Sequence, residues 1–325
     1  MVTITNKKSD IANIIDIKNV IIGEYFDEGG ESQVFKGKYN NKNVIIKQYK
    51  STDNNYKVEI NAYNLLYHKY MVQCYGYFVD EEGFNNLVLE EAQGIILSDL
   101  ASLEEGEEYY INYYEKLCIA YQICEFLEYL RINHVIHRDL KTDNIMVDVK
   151  PNENRLNNST NNIYNINDLK LIVPIKLLDF GIVKIAENTY TTTFSQGRNT
   201  VNYTSPEFYD IENNKTVDNY NTKLISYKVD IWAFGCVLSY LFSGIIPWEN
   251  IAKNHFVIQT KMIYKHKFPI PKDIDVRIKP LVELCTNINP KERPNPSTLL
   301  KLIEALYLDK ALDDEIKLLS PNNYI

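Results

Sequence analysis

The sequence has 325 residues, of which 45% are hydrophobic, so it is long enough and apolar enough to form one large domain or two small ones. The formal net charge of -8 and the isoelectric point near 5.3 argue against general binding to nucleic acids or anionic membranes, because a polyanion would be repelled. No apolar run approaches the ~20 residues of a membrane span, and the N-terminus lacks the apolar core of a signal peptide.

After a lead-in of residues 1–21, to which we assign no chemistry, strand-like runs follow at residues 20–22, 34–37 and 43–47. Between the first two lies a turn, residues 27–33, that reads Asp-Glu-Gly-Gly-Glu-Ser-Gln. Glycine lets a turn approach phosphate groups closely, although a Gly-Gly pair is also common in ordinary hairpins.

The next predicted elements are two strands between two helices. Apolar residues at helical spacing predict a helix over residues 56–67 and a second over residues 115–133. Apolar strands are predicted over residues 71–78 and 86–90, and the second of these leads into the turn Glu-Glu-Ala-Gln-Gly at residues 90–94.

A polar loop reading His-Arg-Asp-Leu-Lys-Thr-Asp-Asn joins the second helix to a short apolar strand at residues 145–147. Asp139 can accept a proton from a hydroxyl nucleophile, and Lys141 can neutralise a transferring phosphoryl group. Asn144 can share a metal ion with a second carboxylate. That carboxylate is Asp179, in an Asp-Phe-Gly turn that follows the next apolar strand. The set indicates phosphoryl transfer.

Two segments, residues 150–168 and 210–222, are polar and lack apolar periodicity. Such segments cannot bury enough apolar area to offset the entropy of ordering, so we predict surface insertions without fixed structure. The five cysteines are widely spaced and odd in number, which predicts reduced thiols in an intracellular protein. Since the sequence also shows no signal peptide and no membrane span, we expect a soluble, cytoplasmic protein.

Taken in this order, the motifs resemble those of the eukaryotic-type protein kinases with a serine/threonine-type catalytic loop. The resemblance also includes Ser-Pro-Glu in place of Ala-Pro-Glu and the run Asn-Pro-Lys-Glu-Arg-Pro, and it covers residues 22–308. It implies an α+β, bilobal fold with a nucleotide in the cleft between the lobes. The implied divisions are a small antiparallel-sheet N-lobe with one helix (residues 22–89), a hinge (90–94), a larger and mainly helical C-lobe (95–308) and a C-terminal tail (309–325).

By this resemblance the chain uses ATP and Mg²⁺. Asp139 would be the catalytic base, Asp179 and Asn144 would hold the metal, and Lys47 would bind the phosphates with Glu59 as its partner. Further contacts with ATP would come from Gly29, Val34, Ile45, the gatekeeper Leu89, Glu90, Ala92 and Met146.

Three departures from the family pattern concern nucleotide binding. Aligned on Val34, the three positions of the glycine-rich loop hold Asp27, Gly29 and Ser32, and Ile45 replaces the small residue that covers the adenine. These departures keep a second interpretation open, a pseudokinase or nucleotide-binding scaffold with weak transfer activity.

The main interpretation is a kinase acting on serine and threonine hydroxyls of proteins, because tyrosine-specific members place Ala or Arg near the position of Lys141. A small-molecule kinase ranks last, since it would lack the activation segment and the Pro-Glu motif. The predicted partners are protein substrates; the oligomeric state is left open.

The resemblance also implies regulatory and supporting residues. Two cations, Arg138 and Lys184, would face the activation segment. The segment offers phosphate acceptors at Thr191, Thr192, Thr193 and Ser195, and a substrate-facing hydroxyl at Thr200. The supporting residues would be a stack of Tyr63, Cys74, Phe180 and His137 on Asp230, and a buried ion pair of Arg293 with Glu207.

Overall fold

The computed structural model describes residues 14–29, 32–50, 55–152, 166–185, 190–191, 200–209 and 225–319, which form two compact units. The first unit combines the residues up to Gln93 with Lys176–Val183, and the second combines Gly94–Ile175 with the residues from Lys184 onward. The division between Gln93 and Gly94 falls inside the predicted hinge.

An antiparallel sheet with the strand order β1, β2, β3, β5, β4 forms most of the first unit. Its elements are β1 (Val20–Glu28), β2 (Ser32–Tyr39), β3 (Lys42–Tyr49), helix α1 (Asn55–Leu65), β4 (Cys74–Val79) and β5 (Asn85–Glu90). Asn40 and Asn41 join β2 to β3 with φ angles of 49° and 64°, a left-handed backbone that asparagine tolerates better than most residues.

Strand β3 has two faces, because side chains alternate along a strand. Val44 and Ile46 pack into one buried apolar cluster. Ile45 and Tyr49 belong to a second cluster, which includes helix α1. Lys47 falls between Ile45 and Tyr49 in the alternation, so it is on the helix side of the sheet.

The hairpin of β1 and β2 is longer than the sequence predicts. Asp27 and Glu28, predicted to lie in the turn, pair with residues of β2 as part of β1, and Ser32 and Gln33 lie in β2. Register irregularities along β1 explain the difference, because an extra residue in a strand breaks the period of two that identifies strands from sequence.

The second unit is mainly helical. Its described helices are α2 (Leu97–Ala101), α3 (Tyr113–Ile132), α4 (Ile166–Ile172), α5 (Lys228–Ser243), α6 (His255–Ile263), α7 (Lys279–Cys285) and α8 (Pro296–Leu319). Short antiparallel pairs join β6 (Ile95–Ile96) to β8 (Ile145–Val147), β7 (Val135–Ile136) to β10 (Lys184–Ile185), and β11 (Tyr190–Thr191) to β12 (Ile225–Ser226). Strand β9 (Ile175–Leu177) leads into the returning segment of the first unit. The predicted fold class is therefore confirmed.

Local sequence signals fix the ends of the two central helices. Helix α3 begins with a capping box, in which Asn112 accepts a hydrogen bond from the Glu115 amide at 3.0 Å and Glu115 accepts one from the Asn112 amide at 2.8 Å. Helix α5 is buried along nearly its whole length and ends at Gly244, whose φ of 67° is in the left-handed region.

Part of the first predicted insertion is folded. Residues 166–168 begin helix α4, and Ile166 is buried. Gln122 of α3 fastens the next stretch by donating to the Val173 carbonyl at 2.9 Å. One buried isoleucine within a polar run gives no periodic pattern, so the sequence did not show that a helix begins at Ile166. Residues 153–165, and the second insertion at 210–222, lie outside the described residues.

Helix α8 continues to Leu319, past the predicted domain end at residue 308. After Pro296 the sequence contains no glycine or proline until Pro321, so nothing in the backbone chemistry ends the helix earlier. None of the described helices has the length and apolar content needed to cross a membrane.

All five cysteines lie among the described residues, and all five are free thiols. Four are buried and Cys74 is partly buried. Burial raises the pKa of the Cys74 thiol to about 12. Burial is also the largest effect on the Cys118 thiol, whose pKa is likewise raised to about 12.

Arg293 and Glu207 form the predicted buried ion pair. The two terminal nitrogens of Arg293 donate to the two carboxylate oxygens of Glu207 at 2.6 and 2.8 Å. The guanidinium also donates to the carbonyls of Lys228 and Asn287 at 2.8 and 2.7 Å, and it lies 5.1 Å from the ring centre of Trp232. Arg293 is 1% exposed, so water cannot replace these bonds.

Replacing Arg293 with alanine should lower the free energy of unfolding by about 3–5 kcal/mol, because the substitution leaves a carboxylate and two carbonyls without their donor. Urea unfolding of the purified chain measures the loss. The matched control is Arg131→Ala, which removes a more exposed pair with Glu128 and should cost less than about 1 kcal/mol. Equal losses in the two variants would contradict the structural role of Arg293.

Candidate active site

Lys47 and Glu59 meet as the resemblance implies. The ammonium of Lys47 on β3 donates to Oε2 of Glu59 on α1 at 2.8 Å, and it donates to Oδ1 of Asp179 at 3.0 Å. Glu59 is completely buried, whereas the Asp179 side chain is 40% exposed. The first unit thus contains one cation shared between a buried carboxylate and an accessible one.

The two carboxylates determine the charge of Lys47. Burial by itself would lower the pKa of Lys47, but attraction from Asp179 and Glu59 outweighs it and raises the pKa above the ordinary value for lysine. The side chain is therefore a stable cation at neutral pH, able to attract an anion such as phosphate.

Asp179 is held by its own turn. Its Oδ1 accepts a hydrogen bond from the Gly181 amide at 2.8 Å as well as the bond from Lys47. The next residue, Phe180, is fully buried, and its ring meets that of Tyr63 edge to face at 5.5 Å between centres. Two members of the predicted stack are therefore in contact within the first unit.

The predicted adenine residues line the end of strand β5. Ile45 lies opposite Leu89 in the sheet, and Leu89 is 4% exposed. The amide of Glu90 donates to the Gln73 carbonyl at 2.8 Å, so a contact from Glu90 to a nucleotide would have to use its carbonyl oxygen. Ala92 follows the strand and is partly buried.

The glycine-containing turn is bonded to its own strands. The Gly29 amide donates to the Ser32 carbonyl at 2.8 Å, and Lys50 donates to the Gly29 carbonyl at 2.8 Å. Ser32, in the third glycine position, is buried. Val34 lies opposite Lys47 across the β2–β3 pair.

In the second unit, the polar loop gathers Asp139, Lys141 and Asn144. The Asn144 amide nitrogen donates to the Asp139 carbonyl at 2.9 Å and to its Oδ2 at 3.1 Å. Lys141 lies 3.0 Å from the same carboxylate oxygen. The backbone then enters β8, whose Met146 lies opposite Ile96 of β6.

Thr200 completes this cluster. Its hydroxyl accepts a hydrogen bond from Lys141 at 2.9 Å and donates to Oδ1 of Asp139 at 3.2 Å. The Thr200 hydroxyl, an alcohol of the protein itself, thus lies within hydrogen-bonding distance of Asp139, the proposed catalytic carboxylate. The sequence assigned Thr200 to the substrate-facing part of the chain, and the structure adds these contacts.

Asp230, in the first turn of α5, binds the backbone of the polar loop. Its two carboxylate oxygens accept the backbone amides of His137 and Arg138, each at 2.8 Å. Arg138 has a φ of 73°, which costs energy for a residue with a side chain. Burial raises the pKa of Asp230 to about 6.

The predicted regulatory residues are only partly within the described chain. The backbones of Lys184 and Thr191 lie in β10 and β11. Thr192, Thr193 and Ser195 lie outside the described residues, and phosphorylation of this segment stays a prediction.

Sequence reasoning missed Tyr49. Its hydroxyl donates to Oε2 of Glu59, the oxygen that also accepts the bond from Lys47. Its position in the sequence could have indicated this role. Tyr49 follows Lys47 by two residues, so the two side chains lie on the same face of the strand.

Comparison with known proteins supports the resemblance. A family model described as the protein kinase domain matches residues 21–303. The chain is 29% identical over 290 residues to the serine/threonine-protein kinase BCK1/SLK1/SSP31 of Saccharomyces cerevisiae, and 27% identical over 322 residues to mitogen-activated protein kinase kinase kinase 5 of Homo sapiens. It is 22% identical over 301 residues to the serine/threonine/tyrosine-protein kinase HT1 of Arabidopsis thaliana.

The matches cover 87%, 92% and 89% of this chain. They cover 16% of the yeast relative, 20% of the human relative and 67% of the plant relative. The chain thus corresponds to a small part of the first two proteins, and the family model spans most of the chain. Its sequence and its two units place it in the protein kinase domain family.

Proposed function

We propose that the chain is an ATP-dependent protein kinase that transfers the γ-phosphate to serine and threonine hydroxyls of protein substrates. The observation that carries the proposal is the cluster of Asp139, Lys141, Asn144 and Thr200, in which a carboxylate already accepts a hydrogen bond from an alcohol. The name of the yeast relative, serine/threonine-protein kinase BCK1/SLK1/SSP31, agrees with this choice.

In the proposed reaction, Asp139 orients the substrate hydroxyl and accepts its proton. The hydroxyl oxygen forms a bond to the γ-phosphorus while the bond from phosphorus to the bridging oxygen breaks, and ADP leaves. Lys141, 3.0 Å from Asp139, neutralises negative charge on the transferring group.

In the first unit, Lys47 binds the phosphates of ATP, and Glu59 keeps the ammonium in position. Leu89, Ile45 and Val34 supply apolar surface for the adenine. Glu90 and Ala92 contribute backbone groups, and Gly29 lets the turn approach the phosphates.

The residues present suit Mg²⁺, which prefers oxygen ligands. The amide nitrogen of Asn144 is committed to Asp139, so its oxygen is the atom that would face a metal ion. Asp179 offers a partly exposed carboxylate. Bound Mg²⁺ would neutralise charge on the phosphates; Asn144 and Asp179 would hold it.

The first prediction of the proposed function concerns Asp139. Replacing Asp139 with asparagine should lower phosphate transfer from labelled ATP to myelin basic protein by on the order of 10²-fold or more, because the amide cannot accept the proton. Asp143→Asn, an exposed carboxylate of the same loop, is the matched control and should keep parental activity. A parent no faster than its Asp139→Asn variant would support the pseudokinase interpretation instead.

The second prediction concerns Lys47. Lys47→Met should weaken binding of Mg²⁺-ATP by on the order of 10-fold or more, measured by titration calorimetry, because a buried cation is lost from the phosphate site. Lys42→Met removes an exposed lysine from the start of the same strand and should leave the Kd unchanged. If the two variants bound Mg²⁺-ATP with equal affinity, Lys47 would not be a residue of the nucleotide site.

The third prediction concerns Asp27, which is exposed and occupies the first glycine position. Its carboxylate accepts the Glu28 amide at 2.7 Å. Since a carboxylate near phosphates repels them, Asp27→Gly should lower the KM for ATP. Steady-state kinetics at varied ATP provide the measurement, and an unchanged or higher KM would show that Asp27 does not face the phosphates.

A further inference from the structure

Glu59 receives its two hydrogen bonds on one oxygen. Lys47 and Tyr49, both on β3, donate to Oε2. The other oxygen, Oε1, is buried and has no hydrogen-bond partner among the described residues. A buried carboxylate without enough donors is costly, so each of the two bonds is important.

The bonds from Lys47 and Tyr49 are not equivalent. The ammonium of Lys47 is shared with Asp179, and in the proposed function it also serves the phosphates. Tyr49 is 4% exposed, and its hydroxyl donates to Glu59 in a buried hydrogen bond. Its bond to Glu59 therefore does not depend on what Lys47 binds.

Helix α1 needs such an attachment. It has 11 residues, and an isolated helix of this length is marginal in water. Its buried side chains are Glu59, Ile60 and Ala62, and the partly buried rings of Tyr56 and Tyr63 pack against the same apolar cluster as Ile60. The hydrogen bonds from β3 to the buried carboxylate of Glu59 add a polar attachment to this apolar packing.

We propose that Tyr49 is a positioning residue that fastens Glu59, and with it helix α1, to strand β3 independently of Lys47. Glu59 then stays in place to orient Lys47 while the ammonium engages phosphate. The effect on ATP rests on the proposed kinase function; the attachment of the helix does not.

Hydrogen exchange of the nucleotide-free full chain tests the attachment. Tyr49→Phe keeps the ring in its cluster and removes only the hydroxyl. The amides of α1 should then exchange about tenfold faster or more than in the parent, since hydrogen bonds to charged groups are among the stronger ones. The matched control is Tyr56→Phe, whose ring packs against Tyr49 at 6.2 Å but whose hydroxyl is not one of the donors to Glu59. This control should exchange like the parent.

Binding of Mg²⁺-ATP gives a second measurement. Tyr49→Phe should raise the Kd about tenfold and leave the KM for myelin basic protein unchanged. In a Glu59→Ala background, the same substitution should cause no further loss, because the acceptor is gone.

Parental exchange in α1 of Tyr49→Phe, or a full additional loss in the Glu59→Ala background, would overturn the proposal. If the parent itself failed to bind Mg²⁺-ATP while Tyr49→Phe still loosened α1, the attachment would stand and the kinase function would fail.

Discussion

The polar loop of the second unit depends on one buried carboxylate. Asp230 accepts the backbone amides of His137 and Arg138, and so compensates the left-handed conformation that Arg138 adopts. Its place in the first turn of α5 favours the ionised form, because the N-terminal end of a helix attracts negative charge. Since α5 is buried along nearly its whole length, the conformation of the loop is tied to the core of the unit.

The same end of α5 also receives the Arg293 guanidinium, through the Lys228 carbonyl. Two elements distant in sequence, the polar loop and the Glu207 turn, are therefore fastened to neighbouring residues of one helix. In the first unit, the buried carboxylate is held by side chains and not by backbone amides among the described residues. There the carboxylate itself, Glu59, is the buried group, and side chains of β3 supply its donors.

Residues whose chemistry depends on type and order could be predicted from the sequence, and Asp139, Lys141 and Asn144 do converge. Residues whose role depends on a contact across the fold could not. Tyr49 reads as one more aromatic in a strand, and only the position of α1 shows that its hydroxyl meets a carboxylate. The start of α4 was missed because it depends on contacts distant in sequence: the carbonyl of its buried Ile166 accepts a hydrogen bond from Cys118 of α3, 48 residues earlier.

The five thiols have a consequence for experiments on this chain. Four are buried, and burial keeps the pKa of the fifth, Cys74, at about 12, so little of any of them is in the thiolate form that reacts with alkylating reagents at neutral pH. A cysteine introduced on the surface should therefore be labelled selectively in the native sequence. Fluorophores or spin labels could then report on helix α1 without first removing the natural cysteines from the core.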